Sequence, residues 1–173
     1  GQLSIPAIAK TPLLHVLIPK INFDGITQRR RTDTNPIRDL SAIYLDQPLT
    51  RQINLLRLAL PQYKRLGVVL GPSTQTLLPD MEGAAEKEGL RLYSRTARNE
   101  SSLIVTLNDV LTESDMILAI PDPLIFNRYT VQNLLLTTYR QKTPVIGFSQ
   151  AYVRAGALMA VYSTPTQIGQ QIA

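Results

Sequence analysis

The apolar residues of the chain follow two alternating patterns, one typical of strands and the other of helices. From residue 64 onward, short and nearly continuous apolar runs alternate with segments whose apolar residues recur every three or four positions. Five strands are predicted on this basis, within residues 65–70, 90–96, 115–121, 144–148 and 157–163. Apolar strands separated by amphipathic helices predict an α/β fold, a doubly wound parallel sheet with helices on both faces.

The predicted helices between these strands carry residues that favour helix ends. Pro79 is tolerated only in the first turn of the helix predicted over residues 76–89, and Gly89 is a natural stop. Asn99 predicts the N-cap of a helix from Glu100 to about Glu113. Two further helices are predicted at residues 127–141 and from 165 onward. The strand–helix alternation therefore continues to the last residues.

The first sixty residues show the same alternation less completely. Strands are predicted at residues 13–19 and 41–48, with a helix at 21–30 between them. Pro48 begins a further helix, with Leu49, Ile53 and Leu56 on one face. Because two strands do not make a domain, residues 1–62 are interpreted as the incomplete C-terminal part of a first lobe with a hinge. Residues 63–173 are interpreted as the second α/β lobe.

Polar turns follow three of the predicted strands. Ligands of doubly wound sheets bind at the carboxyl ends of the strands, so these turns are candidate ligand-binding residues. They are Ser73, Thr74 and Gln75 after the first strand of this lobe, Asp122 and Asn127 after the third, and Ser149 after the fourth. Helix capping or turn formation explains each turn alone. Three such turns at one edge favour a site for a small polar molecule, with Asp122 and Asn127 as the best candidates for contacts.

The composition argues against most catalytic and metal chemistry. The chain has no cysteine and a single histidine, His15, which lies in an apolar run, so we expect neither a transition-metal site nor a cofactor. The phosphate-binding and dinucleotide-binding glycine motifs are absent, as is the nucleophile elbow. Asp122 is also the only carboxylate in its turn. These observations predict a binding protein that is not an enzyme.

The chain is basic, with 18 Lys and Arg against 13 Asp and Glu, a formal net charge of +5. The only dense basic run is Arg29-Arg30-Arg31, in a segment with turn signals that we interpret as a solvated loop. No nucleic-acid-binding motif accompanies this run, so a nucleic-acid partner is not expected. The longest apolar runs are five or six residues, which is too short to cross a bilayer.

Residues 41–173 resemble a known family, the ABC transporter substrate-binding proteins. The resemblance lies in residues 45–74, 115–135 and 143–173, above all in "LALP" leading into "KRLGVVL" and in "RAGALMAVYSTPTQIGQQIA". The first forty residues match the family poorly. These are patterns of a whole domain, so they indicate the fold more strongly than the ligand.

The resemblance implies two α/β lobes joined by a hinge that close on a ligand. It implies an extracytoplasmic component of an importer, in the periplasm or anchored to the outer face of the cytoplasmic membrane. The partners would be a small polar or aromatic-amino-acid-like ligand and an ABC permease in the inner membrane. Carried over to this chain, Ser73, Thr74, Asp122, Asn127 and Ser149 would contact the ligand, and Asp46 and Gln47 would lie at the hinge.

Two other functions fit the same fold. One is a periplasmic sensory or scaffolding module that takes no part in transport. The other is the effector-binding core of a transcription regulator, which would require a DNA-binding segment upstream. Unpaired strand edges in an incomplete layer would also allow a homodimer.

Overall fold

The structure is a computed structural model that describes residues 12–30 and 40–172. It divides into two compact units, which are described separately. Unit 1 contains the described residues up to Asp46 and from Ser163 onward, and unit 2 is Gln47–Tyr162. The strands are β1 (Leu13–Ile18), β2 (Leu40–Tyr44), β3 (Arg65–Leu70), β4 (Arg91–Thr96), β5 (Met116–Leu118), β6 (Val145–Gly147) and β7 (Met159–Ala160). The helices are α1 (Lys20–Arg30), α2 (Leu49–Ala59), α3 (Leu78–Lys87), α4 (Glu100–Glu113), α5 (Val131–Arg140), α6 (Gln150–Arg154) and α7 (Pro165–Ile172).

Unit 1 is built around the parallel pair β1 and β2. Phe23 of α1 is buried, and its ring makes edge contacts at 5.8 Å, between centroids, with the rings of His15 and Tyr44. The backbone N–H of Lys20 donates to Asp46 Oδ1 at 2.8 Å. His15 therefore packs against an aromatic side chain, and its Nε2 is buried without a hydrogen-bond partner among the described residues.

Unit 2 contains a five-stranded sheet in the order β4-β3-β5-β6-β7, and every neighbouring pair in it is parallel. Leu66 of β3 is in register with Leu92 of β4 on one side and Met116 of β5 on the other. The strand that comes first in this unit thus lies inside the sheet, between β4 and β5, and the chain winds away from it in both directions. This order confirms the predicted doubly wound sheet.

Apolar side chains cover both faces of the sheet. On one face, α2 and α3 pack against alternate residues of β3 and β5; the core residues include Ile53, Leu56, Leu66, Val68, Met81, Met116 and Leu118. On the other face, α4 and α5 pack against the intervening residues; the core residues include Val69, Leu103, Leu107, Ile117, Leu134 and Val145. Burial on both faces explains why β5, and β3 after Arg65, carry no polar side chains.

Most of the predicted helix ends are confirmed. Pro79 lies in the first turn of α3, and Gly89 follows this helix with a φ of 67°, a left-handed conformation that glycine adopts easily. Asn99 caps α4, where its side chain accepts a hydrogen bond from the N–H of Ser102. The Thr164 hydroxyl accepts from the N–H of Gln167 at the start of α7. Local capping signals were therefore sufficient to place these helices.

Three local features differ from the predictions. Helix α5 begins at Val131 rather than at Asn127, because residues 127–130 form a turn. The short helix α6 was not predicted, since its five residues give no helical period. Helix α1 confirms the helix predicted at residues 21–30; Arg29 and Arg30 therefore lie in its last turn rather than in a solvated loop, and Arg31 lies outside the described residues. Within the described segments, no helix is both long enough and apolar enough to cross a membrane.

The compact units divide between Asp46 and Gln47, whereas the predicted boundary between the lobes lies between residues 62 and 63. Helix α2 falls in unit 2, because Ile53 and Leu56 are buried in the same core as β3 and α3. Residues from Ser163 onward fall in unit 1, where α7 packs on β2. The interpretation of the two units as lobes stays a prediction.

An ion pair at the amino end of β3 makes the stability of unit 2 depend on pH. The side-chain hydrogen bonds from Arg65 to Asp115, at 2.7 and 2.9 Å, hold the pKa of that carboxyl below its ordinary value, although burial opposes them. A lowered folded-state pKa means that Asp115 stabilises the protein above about pH 4, and this contribution is lost as the pH falls through the folded pKa. Between pH 5 and pH 2, the unmodified protein should lose more stability than Asp115→Asn.

Urea-unfolding midpoints measured across this acid range test the expectation. Asp109→Asn, which removes an exposed carboxyl on α4, is the matched control and should retain the acid sensitivity of the unmodified protein. If Asp115→Asn loses stability as steeply as this control, the ion pair is not the source of the pH dependence.

Candidate functional site

The point where the winding of the sheet reverses lies at the carboxyl ends of β3 and β5. These strands are neighbours, and the chain leaves them toward α3 and α5, on opposite faces of the sheet. We call residues 71–74 the β3 loop and residues 119–130 the β5 loop. In doubly wound sheets, the crevice between two such loops is where ligands bind.

The side chain of Asp122 joins these two loops. Its Oδ2 accepts hydrogen bonds from the hydroxyls of Ser73 and Thr74, each at 2.8 Å. Its Oδ1 accepts from the backbone N–H of Leu124, also at 2.8 Å. Asp122 is only 2% exposed, so its carboxylate is stabilised by these three donors rather than by water. We call Gly71, Ser73, Thr74 and Asp122 the Asp122 latch.

Gly71 makes the close approach of the Asp122 carboxylate to the β3 loop possible. A Cβ atom at this position would lie 2.6 Å from Cγ of Asp122, far inside the normal contact distance. The Gly71 N–H also donates to Thr74 Oγ1 at 3.0 Å, which closes the turn. Gly71 thus leaves room for the Asp122 carboxylate, and the hydroxyl of Thr74 holds the turn of the β3 loop closed.

The side chain of Asn127 closes a turn within the β5 loop. Its Oδ1 accepts from the N–H groups of Tyr129 and Thr130 at 2.9 and 3.2 Å, and its Nδ2 donates to the carbonyl of Pro123 at 2.9 Å. Both ends of the amide therefore hydrogen-bond to the local backbone. This is the chemistry of a turn-forming asparagine.

The structure brings together three of the six residues predicted to bind ligand. Ser73 and Thr74 contact Asp122 directly, and in this group Ser73 is the exposed member. Gln75 is exposed at the start of a short 3-10 turn, while Ser149 is half-buried and precedes α6. Asn127, Gln75 and Ser149 share this edge of the sheet but are not members of the latch.

The two predicted hinge residues lie on either side of the division between the units, which falls between Asp46 and Gln47. The Asp46 carboxylate accepts from the N–H of Lys20, and the Gln47 carbonyl accepts from the Gln52 side chain at 2.7 Å. A hinge motion at this point stays a prediction.

Three aromatic rings that the sequence reasoning did not group lie at the same edge of unit 2. The ring centroids of Phe148 and Tyr152 are 4.5 Å apart, and that of Phe126 lies 5.8 Å from each of them. All three side chains are half-buried and pack against the core beneath α4 and α5. We call them the aromatic cluster.

Tyr152 comes close to the sheet because residue 147 is a glycine. A Cβ atom on Gly147 would lie 2.5 Å from Cβ of Tyr152. Burial raises the pKa of Tyr152 to about 12, so its phenol stays neutral, and it donates a long hydrogen bond of 3.4 Å to the carbonyl of Phe126. The aromatic cluster therefore presents an uncharged, largely apolar surface next to the polar loops.

Comparison with known proteins gives one family match and several related structures. Residues 36–173 match the family of ABC transporter substrate binding proteins. No curated protein sequence matches the chain.

Three solved structures are similar to the chain. A conserved domain protein from Vibrio cholerae is 25% identical, with a TM-score of 0.65, over 77% of this chain and 45% of its own. An ABC domain from Streptococcus pneumoniae in complex with L-Trp is 17% identical, with a TM-score of 0.71, over 96% of this chain and 57% of its own. The third is the ligand-free, open structure of CD0873, a substrate binding protein with adhesive properties from Clostridium difficile. It is 16% identical, with a TM-score of 0.60, over 80% of this chain and 46% of its own. The chain thus spans about half the length of the structures that it matches.

Proposed function

Because the chain belongs to the ABC transporter substrate-binding protein family, we propose that it captures a small solute reversibly for an ABC importer. Proteins of this family are generally extracytoplasmic. We place this protein in the periplasm or at the outer face of the cytoplasmic membrane, where it would pass its ligand to a permease in the inner membrane. No covalent chemistry is part of this proposal.

The Asp122 latch is the observation that carries the proposal for this chain. It holds the loops after β3 and β5 together where a doubly wound sheet binds its ligands, and it leaves Ser73 exposed there. A buried carboxylate that engages three donors gives these loops one defined arrangement. A preformed arrangement lowers the entropic cost of capturing a small ligand.

The aromatic cluster supports an amino-acid-like ligand with an apolar ring. Phe126, Phe148 and Tyr152 offer ring faces and edges beside the polar loops, a combination that suits a molecule with one apolar and one polar end. The related protein from Streptococcus pneumoniae is described in complex with L-Trp. We therefore propose aromatic amino acids as the first ligands to test.

Titration calorimetry of the full-length protein tests this function. L-tryptophan, L-tyrosine, L-phenylalanine and small carboxylates are titrated separately, and the melting temperature is measured with each. Binding of at least one ligand with saturable heat and a raised melting temperature is the expected result. Absence of both effects for every compound would contradict solute binding and favour a sensory or scaffolding role.

Replacing Phe126 with leucine should weaken binding of an aromatic ligand by about fivefold, because a ring–ring contact is lost. Leucine keeps an apolar side chain at this half-buried position, so the fold should be retained. Tyr139→Leu on α5 is the control, since that ring is exposed and lies outside the aromatic cluster. Equal affinities for the two variants would exclude Phe126 from ligand contact.

A further inference from the structure

The Asp122 latch determines more than the position of Ser73, because it also fixes the direction in which the Ser73 hydroxyl donates its hydrogen. A serine hydroxyl has one hydrogen to donate and two lone pairs that accept. In most sites it rotates to suit the ligand. Here Ser73 Oγ lies 2.8 Å from Asp122 Oδ2, and an ionised carboxylate only accepts hydrogen bonds.

Both oxygens of Asp122 are already occupied as acceptors. The N–H of Leu124 donates to Oδ1, and the hydroxyls of Ser73 and Thr74 donate to Oδ2. With both hydroxyls donating to Oδ2, the carboxylate acts only as an acceptor in this arrangement. The hydrogen of Ser73 is therefore directed inward, toward the protein.

Thr74 is too deeply buried for its hydroxyl to contact a ligand. It is 1% exposed, its Oγ1 accepts from the Gly71 N–H at 3.0 Å, and its hydrogen goes to Asp122 at 2.8 Å rather than to the Gly71 carbonyl at 3.4 Å. Ser73 is the exposed hydroxyl of the pair. The latch thus presents a single oxygen to the solvent, with its lone pairs outward and a negative charge behind it.

We propose that Ser73, oriented by Asp122, is a specificity-determining residue that accepts a hydrogen bond from an ammonium or other N–H donor group of the ligand. This inference rests on the proposed function and adds the ligand group that this part of the site recognises. A ligand carboxylate that approached Ser73 Oγ would meet its lone pairs, with the negative charge of Asp122 behind them. Ser73 therefore selects ligands that carry an amino group, and it orients the ligand so that this group faces the β3 loop.

Pairs of ligands that differ only in the amino group test this inference. L-tryptophan is compared with indole-3-propionate, and L-phenylalanine with 3-phenylpropionate, by calorimetry of the full-length protein. The unmodified protein should prefer the amino acid of each pair by about tenfold or more, as expected for a charge-assisted hydrogen bond. In Ser73→Ala, the preference should fall to about twofold or less. The melting temperature should also fall, because the buried carboxylate of Asp122 loses one of its three donors, so the preference between the paired ligands is the readout that decides.

Asp122→Asn tests the inference more directly, because it should reverse the direction in which the Ser73 hydroxyl donates its hydrogen. The Leu124 N–H requires an oxygen at the Oδ1 position, so the amide nitrogen would take the place of Oδ2 and donate to Ser73 and Thr74. Thr74 could then donate to the Gly71 carbonyl, and Ser73 would donate outward. The preference for the amino acid should disappear or reverse, a change that a purely structural role of Asp122 would not produce.

The outcomes separate this inference from the proposed function. If an amino acid binds but both variants keep its preference over the des-amino analogue, the role of Ser73 is overturned and solute binding stands. If no compound binds, solute binding of these ligands fails, and a neutron structure of the protein decides the hydroxyl direction. A deuterium between Ser73 Oγ and Asp122 Oδ2 would support the inference, and one directed outward would overturn it.

Discussion

Replacing Leu56 with alanine should lower the free energy of unfolding of unit 2 by about 3 kcal/mol. Leu56 is fully buried, and truncation would leave a cavity where α2 meets the sheet. The lost apolar contacts and the cavity both contribute to the cost. Its core neighbours include Ile53, Leu66, Met81 and Met116. Urea unfolding of the full-length protein, followed by circular dichroism, gives the change in midpoint.

Leu58→Ala is the matched control, because this residue lies on the same helix and is 71% exposed. Its effect should stay within about 0.5 kcal/mol. The pair also tests where α2 belongs. If Leu56→Ala increases amide exchange in β3 and α3, the helix is part of unit 2. Equal and small effects of both variants would contradict the packing of α2 on this core.

The fold of unit 2 was largely readable from the sequence because both faces of its sheet are buried. Continuous burial requires runs of apolar residues, such as Leu66 to Leu70 of β3, and each covering helix then needs one apolar stripe. Gly89 and Asn99 mark helix ends through their own backbone and side-chain chemistry, which needs no tertiary contact. Helix ends marked by such residues can therefore be recognised from a single sequence.

The unit boundary could not be read in the same way. The apolar stripe of α2 shows that this helix packs against something, but it does not identify the partner. Ile53 and Leu56 would show the same spacing against the core of either unit. Only the tertiary contacts assign the helix to unit 2.

The polar turns were located correctly at the carboxyl edge of the sheet, but their individual roles were not readable. Ser73 and Asp122 are 49 positions apart, and no local pattern predicts their hydrogen bond. A polar residue after a strand has the same sequence pattern whether it forms a turn, connects two loops or contacts a ligand. Asn127 has the first role, Asp122 the second, and Ser73 is proposed for the third.

The aromatic cluster was missed for a related reason. Phe126 and Phe148 each follow a different strand, and a single aromatic residue near a turn is more often part of a core. Their rings meet because β5 and β6 are neighbours in the sheet and Gly147 lets Tyr152 approach. The strand order and the approach of Tyr152 to Gly147 are properties of the tertiary structure, so the sequence alone did not reveal the cluster.

Replacing Gly71 with alanine should destabilise unit 2 by about 3 kcal/mol and abolish most of its ligand affinity. The new Cβ atom would overlap the carboxylate of Asp122, with Cγ only 2.6 Å away. This carboxylate cannot swing aside cheaply, because three hydrogen bonds fix it in a buried position. Relief of the overlap must break the bonds to Ser73 and Thr74, and the β3 loop then loses its arrangement.

Gly83→Ala is the matched control for this last substitution. Gly83 lies inside α3, where a Cβ atom would meet nothing within 4 Å, so alanine should stabilise the helix by about 0.5–1 kcal/mol. The double variant Gly71→Ala with Asp122→Ala removes the overlap, and its cost should be smaller than the sum of the two single costs by about 1 kcal/mol or more. Thermal unfolding of the four proteins measures this coupling. Strict additivity would mean that Gly71 and Asp122 act independently and that glycine at position 71 serves only the turn. A strong coupling would show that glycine is needed at position 71 because the buried carboxylate of Asp122 occupies the space of a side chain there.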